Sequence, residues 1–296
     1  MDDQLTKLYA LKTYGELGPR MLQSLLIRYG GLDELLAADV DELSGVPRLS
    51  VDRARRIADS RHRLADAEED ISLIKTAGIG MVNIFDADYP AALLRIDDPP
   101  PILFYQGQLP ANGQKALAVV GTTKASENRI VASVSIGRAL ARRGIAVISG
   151  LAAGIDASAH LGSLKDGGYT VAVLGNGLLH IYPGENQGLA KMVEQTGCLI
   201  SEFHPETRVS VGRLMSRNRL IVGLATAVIV VELSGKSSGT MNAMVRAREQ
   251  GKGCFLYDPD RAIRQGEQSE LSLTCFDSIE QFESMIDYMT LEEDLS

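Results

Sequence analysis

The chain has 296 residues, 45% hydrophobic and 23% charged, and a formal net charge of −8 from 30 basic against 38 acidic side chains. That length holds one large and one small domain. The acidic balance excludes a generally adhesive nucleic-acid binder but leaves room for a local basic pocket. No apolar run approaches the ~20 residues that span a bilayer, and MDDQLTKLYALK at the amino terminus lacks the basic and long apolar regions of a signal peptide. A cytoplasmic protein with no membrane partner is expected. The absence of Trp argues against an extended base-stacking platform. Cys198, Cys254 and Cys275 are an odd number without CxxC spacing, and are expected as buried reduced thiols and not as a metal site.

In chain order, helical spacing is found at Leu5–Thr13, Gly18–Tyr29, Leu32–Leu36, Val40–Leu43 and Val51–Ala77, so residues 1–78 are expected to form an all-α domain. Within it, LSGVPRLSVDRARRIADS (43–60) is similar to a helix-hairpin-helix, with Arg48 near the place of the second turn glycine. DNA contact and simple packing are both open readings of this piece. Residues 79–115 read as a connector with strands at Gly80–Phe85 and Ile102–Tyr105. Between them Pro99-Pro100-Pro101 forbids helix, and a domain boundary is expected between 107 and 115.

From 116 to 290 short apolar runs alternate with helical periodicity. Strands are expected at 116–120, 145–149, 170–174, 198–201, 226–232 and 252–257. Helices are expected at 126–143 (capped by Ser126 and ended by Gly144), 155–166, 186–196, 213–224, 237–250 and 278–289. Residues 260–277 are ambiguous. The pattern is that of an α/β fold, a doubly wound, Rossmann-like, mostly parallel sheet. The run–helix–run unit 116–149 is a right-handed crossover with parallel strands, which places the turns after its two strands at the ligand-binding edge of the sheet.

Four glycine and polar clusters follow expected strands. They are Gly121, Thr122, Thr123 and Lys124; Ser149–Asp156, with Ser149, Gly150, Gly154 and Asp156; Gly175, Asn176 and Gly177; and Ser234–Thr240, with Ser238, Gly239 and Thr240. Helix amino termini at such an edge offer free N–H groups and a positive dipole end, which suit phosphate. Common nucleotide fingerprints fail. A Walker A ending at Gly235-Lys236-Ser237 has Val230 where glycine is needed, and a GxGxxG from Gly175 has His180. Arg208, Arg213, Arg217 and Arg219 form a local cationic group. Arg217 and Arg219, flanking Asn218, are roughly 200° apart on a helix, so one can face a ligand while the other meets a carboxylate. Asp156 and His160 share a helical face. The helix-start role of Asp156 is favoured over acid–base work, and a Ser149/Asp156/His160 hydrolytic site over-reads the pattern.

Several stretches resemble the DNA-processing protein A (DprA/Smf) family. Ser149–His160 looks like its SGxAxGIDxxAH, Val173–Leu178 with Ile181–Asn186 like VLGxGLxxxYPxEN, and Ser201-Glu202 with Arg217–Leu224 like SE…RNRIIAGL. Val230–Glu232 with Ser238–Thr240 is similar to VVE…SGxxxTA, and Tyr89-Pro90 with Asp98–Phe104 matches the approach segment. The resemblance runs from about residue 15 to 258. It implies a helical domain of sterile-alpha-motif type, a Rossmann-like domain, single-stranded DNA bound at the sheet edge, homodimerisation and loading of the RecA recombinase in natural transformation, with no cofactor and no enzymatic reaction. Thr123 and Ala153 stand where the family's arginines are expected, Gln187 replaces a basic residue, and Leu214-Met215 replace Phe-Pro. A charge-assisted contact contributes roughly 1.5–3 kcal/mol, so losing two weakens DNA binding by about 10²–10⁴-fold unless Lys124, Arg129, Arg213, Arg217 and Arg219 compensate. No counterpart of the winged helix that ends many members is expected. A second reading is a nucleotide-sensing or nucleotide-hydrolysing protein related to the lysine-decarboxylase-like (LOG) group. Its catalytic glutamate position holds Ala243, which disfavours hydrolysis.

Overall fold

Helices with one apolar stripe open the chain in the computed structural model, which describes residues 3–233, 239–262 and 273–293. The chain divides into two units, Met1–Tyr105 and Gln106–Ser296. The first contains α1 (Asp3–Thr13), α2 (Pro19–Tyr29), α3 (Leu32–Ala37), α4 (Val40–Ser44), α5 (Val51–Asp59) and α6 (Leu64–Thr76). Their local signals are ordinary ones. Pro19 opens α2, and Gly30, at φ 93°, closes it by donating its N–H to Leu26 O. Asp39 and Glu42 form a reciprocal capping box on α4.

The helical run expected over Val51–Ala77 is interrupted by a 3-10 turn at Ser60–Arg63. The Ser60 hydroxyl donates to Arg56 O at 2.9 Å and competes with the backbone for that carbonyl. In the α4–α5 turn Arg48 adopts φ 66°, the left-handed conformation a glycine takes more easily. The unit closes with β1 (Gly80–Asn83) antiparallel to β2 (Ile102–Gly107). Beside them, the buried Tyr89 hydroxyl donates to Pro100 O at 2.8 Å, tying the Tyr-Pro stretch to the proline run.

The second unit alternates as the sequence predicts: β3 (Ala116–Gly121), α7 (Glu127–Arg142), β4 (Ala146–Ser149), α8 (Ile155–Lys165), β5 (Thr170–Val173), α9 (Gln187–Thr196), β6 (Cys198–Ser201), α10 (Val211–Leu224), β7 (Ala227–Glu232), α11 (Gly239–Glu249), β8 (Gly253–Tyr257), β9 (Leu273–Phe276) and α12 (Ile279–Glu293). The ambiguous stretch 260–277 thus carries a strand. Within this unit the strands lie in the order β6-β5-β4-β3-β7-β8-β9, every neighbouring pair parallel. The order reverses beside β3, and right-handed crossovers then send α7–α9 and α10–α11 to opposite faces. With both faces covered, the strands read as unbroken apolar runs.

One core cluster joins Val119, Val147, Ile229 and Val231 of the sheet to Ile136 and Leu140 of α7 and Phe282 and Ile286 of α12. At the far end of α10, the Lys252 ammonium donates to Val222 O (2.6 Å), Gly223 O (2.9 Å) and Ala225 O (2.6 Å), a cation placed on the negative end of a helix. Cys198 and Cys254 are buried free thiols and Cys275 is half-buried; burial pushes the Cys254 thiol up to about 12. No helix among the described residues is long and apolar enough to cross a membrane.

Candidate functional site

Turns at the carboxyl ends of β3 and β4 are held in shape by the chain's own polar groups. Thr122 N–H donates to Glu232 O at 3.2 Å, and Thr122 O accepts from Ile155 N–H at 3.3 Å. After β4, Leu151 sits at φ 60° and Gly154 at φ 76°. Leu151 O accepts from the Asn186 side chain at 2.9 Å, so the asparagine of the Tyr-Pro-Gly-Glu-Asn stretch holds the turn's strained residue. A Cβ on Gly154 would meet Thr122 O at 2.6 Å, which adds close approach to the positive φ. Above these turns opens a cavity of about 630 Å³, with walls from the β3 and β4 turns, α10 and the first turns of α11.

Ten of the predicted residues line it: Gly121, Thr122, Thr123 and Lys124; Gly150 and Asp156; Arg217 and Asn218; Gly239 and Thr240. Ser149, Gly154, Gly175, Asn176, Gly177, Arg213 and Arg219 are not among the lining residues, and Ser238 lies outside the described residues. The reasons are local. The Ser149 hydroxyl donates to Val119 O at 2.6 Å. Gly175 and Gly177 serve packing. A Cβ on Gly175 would meet Leu214 Cα at 2.9 Å, and one on Gly177 would overlap the carbonyls of His204 and Pro205. Asn176 spends its amide on Gly177 O and His180 O. Arg213 donates to Arg208 O at 3.1 Å and stands over the Phe203 ring.

The expected division between Arg217 and Arg219 takes a specific form. Arg219 is 7% exposed and pairs in bidentate fashion with Glu202 at the end of β6, Nη1 to Oε1 at 2.9 Å and Nη2 to Oε2 at 2.7 Å. Arg217, 5% exposed, lies on the cavity side with its guanidinium against the backbone of Gly150. Its Nη1 donates to Gly150 O at 2.7 Å and to Val173 O, and its Nε to Asn218 Oδ1 at 3.1 Å. Asn218 in turn donates to Gly239 O (3.0 Å) and Asn242 Oδ1 (3.2 Å), fixing the start of α11. The Arg-Asn-Arg triplet is therefore a clamp on the ends of β4, β5 and β6 and on α11.

Helix amino termini at this edge are not equally open to an anion. Asp156 Oδ2 accepts from Gly150 N–H at 3.1 Å, so α8 carries its own carboxylate. Ser126 occupies the N-cap of α7 without a side-chain cap bond, and its own N–H donates to Glu232 Oε2 at 3.2 Å, which sets a carboxylate beside the helix start. The α10 terminus is capped by the Ser210 hydroxyl. Gly239 and Thr240, at the start of the described part of α11, line the cavity together with Lys124. Lys124 has no carboxylate partner among the described residues, and its N–H donates to Thr122 Oγ1 at 3.2 Å.

Burial pushes the Asp156 carboxyl up to about 6, against the lowering influence of the Arg217 charge and of N–H groups at Gly150 and Ala152. Burial likewise lowers Arg217, with Asp156 opposing. His160 is no part of a catalytic set. Thr170 Oγ1 donates its one proton to Val147 O at 2.8 Å, so at 2.7 Å it accepts from His160 Nδ1–H; His160 Nε2 is buried without a partner among the described residues. Burial, then the Arg217 charge, lowers His160 to about 3.

An acid-stability prediction follows from that shift. Between pH 6.5 and about 3 the unfolded chain binds a proton that the folded chain refuses, so stability contributed by the neutral imidazole is full above 6.5 and is lost as pH falls. From pH 7 to pH 5 this loss is about 2 kcal/mol. Asp156 acts in the opposite sense, since its raised value lets the folded state take up a proton first between about 6 and 4. Comparison of His160→Gln with the parent isolates the histidine: denaturant unfolding at the two pH values is expected to show the variant less acid-sensitive by about 2 kcal/mol. Parallel losses in both proteins would contradict it.

A model of the family described as DNA recombination-mediator protein A matches residues 80–287. The chain belongs to this family. The match begins where the helices of the first unit end and runs through much of α12. The protein is 32% identical over 251 residues to the DNA processing protein DprA of Streptococcus pneumoniae, covering 84% of this chain and 85% of that one. To the DprA of Bacillus subtilis it is 32% identical over 243 residues, 80% and 81% of the two chains. To Protein Smf of Synechocystis it is 40% identical over 162 residues, and there it spans 53% of this chain and only 41% of the relative. The X-ray structure of the S. pneumoniae DprA superposes with a TM-score of 0.77 at 26% identity, over 95% of this chain and 97% of that chain. A DNA processing protein A from Helicobacter pylori, described for its single-stranded DNA binding mode, shares the fold at a TM-score of 0.61 and 23% identity, over 70% of this chain and 95% of that chain.

In the sequence the Tyr-Pro-Gly-Glu-Asn stretch stands out only as a family mark. In the structure Tyr182, Pro183 and Glu185 line the cavity, and Asn186 holds the β4 turn. Glu202 likewise belongs to a motif in the sequence; the Ser-Glu dyad at a strand end is the signal for the carboxylate that Arg219 meets.

Proposed function

We propose that this protein binds single-stranded DNA at the cavity over β3 and β4, acting in the cytoplasm as a homodimer that loads RecA onto the bound strand during natural transformation. One observation carries the reading: the Lys124 ammonium, without a carboxylate partner among the described residues, and the first turn of α11 line the same cavity, at the point where the strand order reverses. Together they supply the cationic and N–H groups that a phosphodiester needs. Membership in the recombination-mediator family and the single-stranded DNA binding of the H. pylori relative support the same ligand. Ala243 lines the cavity where a hydrolase of the lysine-decarboxylase-like group would carry its glutamate, which weighs against nucleotide hydrolysis.

Fluorescence anisotropy with labelled dT oligomers and mononucleotides tests the reading. Affinity is expected to rise with oligomer length and to fall steeply with salt. Absence of oligomer binding at ~50 mM salt sinks it, and tight binding of a mononucleotide without oligomer binding selects a nucleotide sensor instead.

A further inference from the structure

The cavity lining has two chemistries, and a phosphate accounts for only one of them. Lys124 and the start of α11 are polar. Tyr182, Pro183, Val211, Leu214 and Met215 line the same cavity with apolar surface, and part of it is bare: Val211 is 72% exposed and Tyr182 48%. Apolar surface left open in a binding cavity suits an apolar part of a ligand. Tyr182 is the one aromatic among the described lining residues. The chain on either side of it is held. The Asn176 amide donates to His180 O, and Asn186 N–H donates to Pro183 O at 3.1 Å while its side chain donates to Leu151 O at 2.9 Å. The Tyr182 ring and hydroxyl themselves have no hydrogen-bond or ring partner among the described residues. A side chain kept only for packing would be covered; this one is a free ring on a fixed backbone.

We propose that Tyr182 is a base-stacking residue, on whose ring one nucleobase of the bound single strand lies. The inference rests on the single-stranded DNA reading above and adds a contact to a base, where that reading has contacts to phosphate alone. A single strand alternates charged phosphates with flat apolar bases, and every base has a π-face, so one ring adds affinity without selecting sequence. Glu185, on the same stretch, also lines the cavity, and its carboxylate disfavours a phosphate near it. A chain without Trp carries no extended stacking platform, but a single ring at a cavity mouth needs none. Because a neutral ring displaces no counterions, its share of the affinity is independent of salt.

The test crosses a side-chain deletion with a base deletion. Labelled dT12 and an abasic strand of the same length are titrated against the parent, Tyr182→Ala and Tyr182→Phe. Tyr182→Ala is expected to weaken dT12 binding by about tenfold with the salt slope unchanged, while Tyr182→Phe keeps the parent affinity. On the abasic strand all three proteins are expected to bind alike, since no base is there to stack. Tyr182→Trp supplies a second readout in a chain that has no other Trp: dT12 is expected to quench its indole fluorescence and the abasic strand to leave it unchanged. If Tyr182→Ala does not fold, this quenching decides. Undiminished dT12 binding by Tyr182→Ala, or equal losses on both strands, overturns stacking and leaves the single-stranded DNA reading standing. Failure of the parent to bind either strand overturns both.

Discussion

Arg219→Ala is expected to destabilise the fold by about 3–5 kcal/mol, because it leaves Glu202 as an uncompensated buried charge. Both side chains are about 90% or more covered and joined by two short charge-assisted bonds. In solvent such a pair is worth little, but here removal of one member exposes the desolvation cost of the other. The double variant Arg219→Met/Glu202→Met removes both charges and fills the space with apolar atoms, and is expected to recover most of the loss. Denaturant unfolding of the two variants reads this directly. A loss below about 1 kcal/mol in the single variant would mean that the pair is solvated and the clamp is not closed.

Gly150→Ala is expected to cost a comparable amount, about 3–5 kcal/mol, and to spoil the cavity floor. The new Cβ would fall on the guanidinium of Arg217. A free arginine would simply swing away, but this one is held by Gly150 O, Val173 O and Asn218. Displacing it strands two carbonyls, separates a buried cation from Asp156 and releases the Asn218 tie to α11. Gly188→Ala is the control. It lies in α9, where a new Cβ would meet nothing within 4 Å, and is expected to be neutral or stabilising by up to about 1 kcal/mol. If Gly150→Ala melts with the control, the guanidinium has room to move and the turn is not read by Arg217.

Particular residues show what the sequence could and could not say. The β3–α7–β4 crossover was legible because its signals are local: two apolar runs, a helical period and Gly144. The opposite assignments of Arg217 and Arg219 were legible as geometry, since two positions on a helix cannot share a face. Their partners were not, because Glu202 and Gly150 arrive from distant strand ends that only the sheet order brings together. Glycine clusters misled for the same reason. Gly175 and Gly177 resemble Gly150 in sequence, yet the atoms that forbid their side chains come from 204–205 and Leu214. Ser126 was the obvious cap for α7, yet its hydroxyl makes no cap bond and its own N–H donates to Glu232, 106 residues away. A cluster's chemistry was legible; whether it faced solvent, ligand or protein depended on folding.

On the proposed single-stranded DNA reading, Lys124 is the lining cation without a carboxylate partner among the described residues and so the expected phosphate contact. The most direct measurement is the salt dependence of dT-oligomer affinity for the parent protein and Lys124→Gln. Loss of one phosphate contact is expected to weaken binding by about tenfold or more and to flatten the slope of log affinity against log salt by about 0.7. An unchanged slope and affinity would contradict this role for Lys124 and place the DNA elsewhere on the molecule.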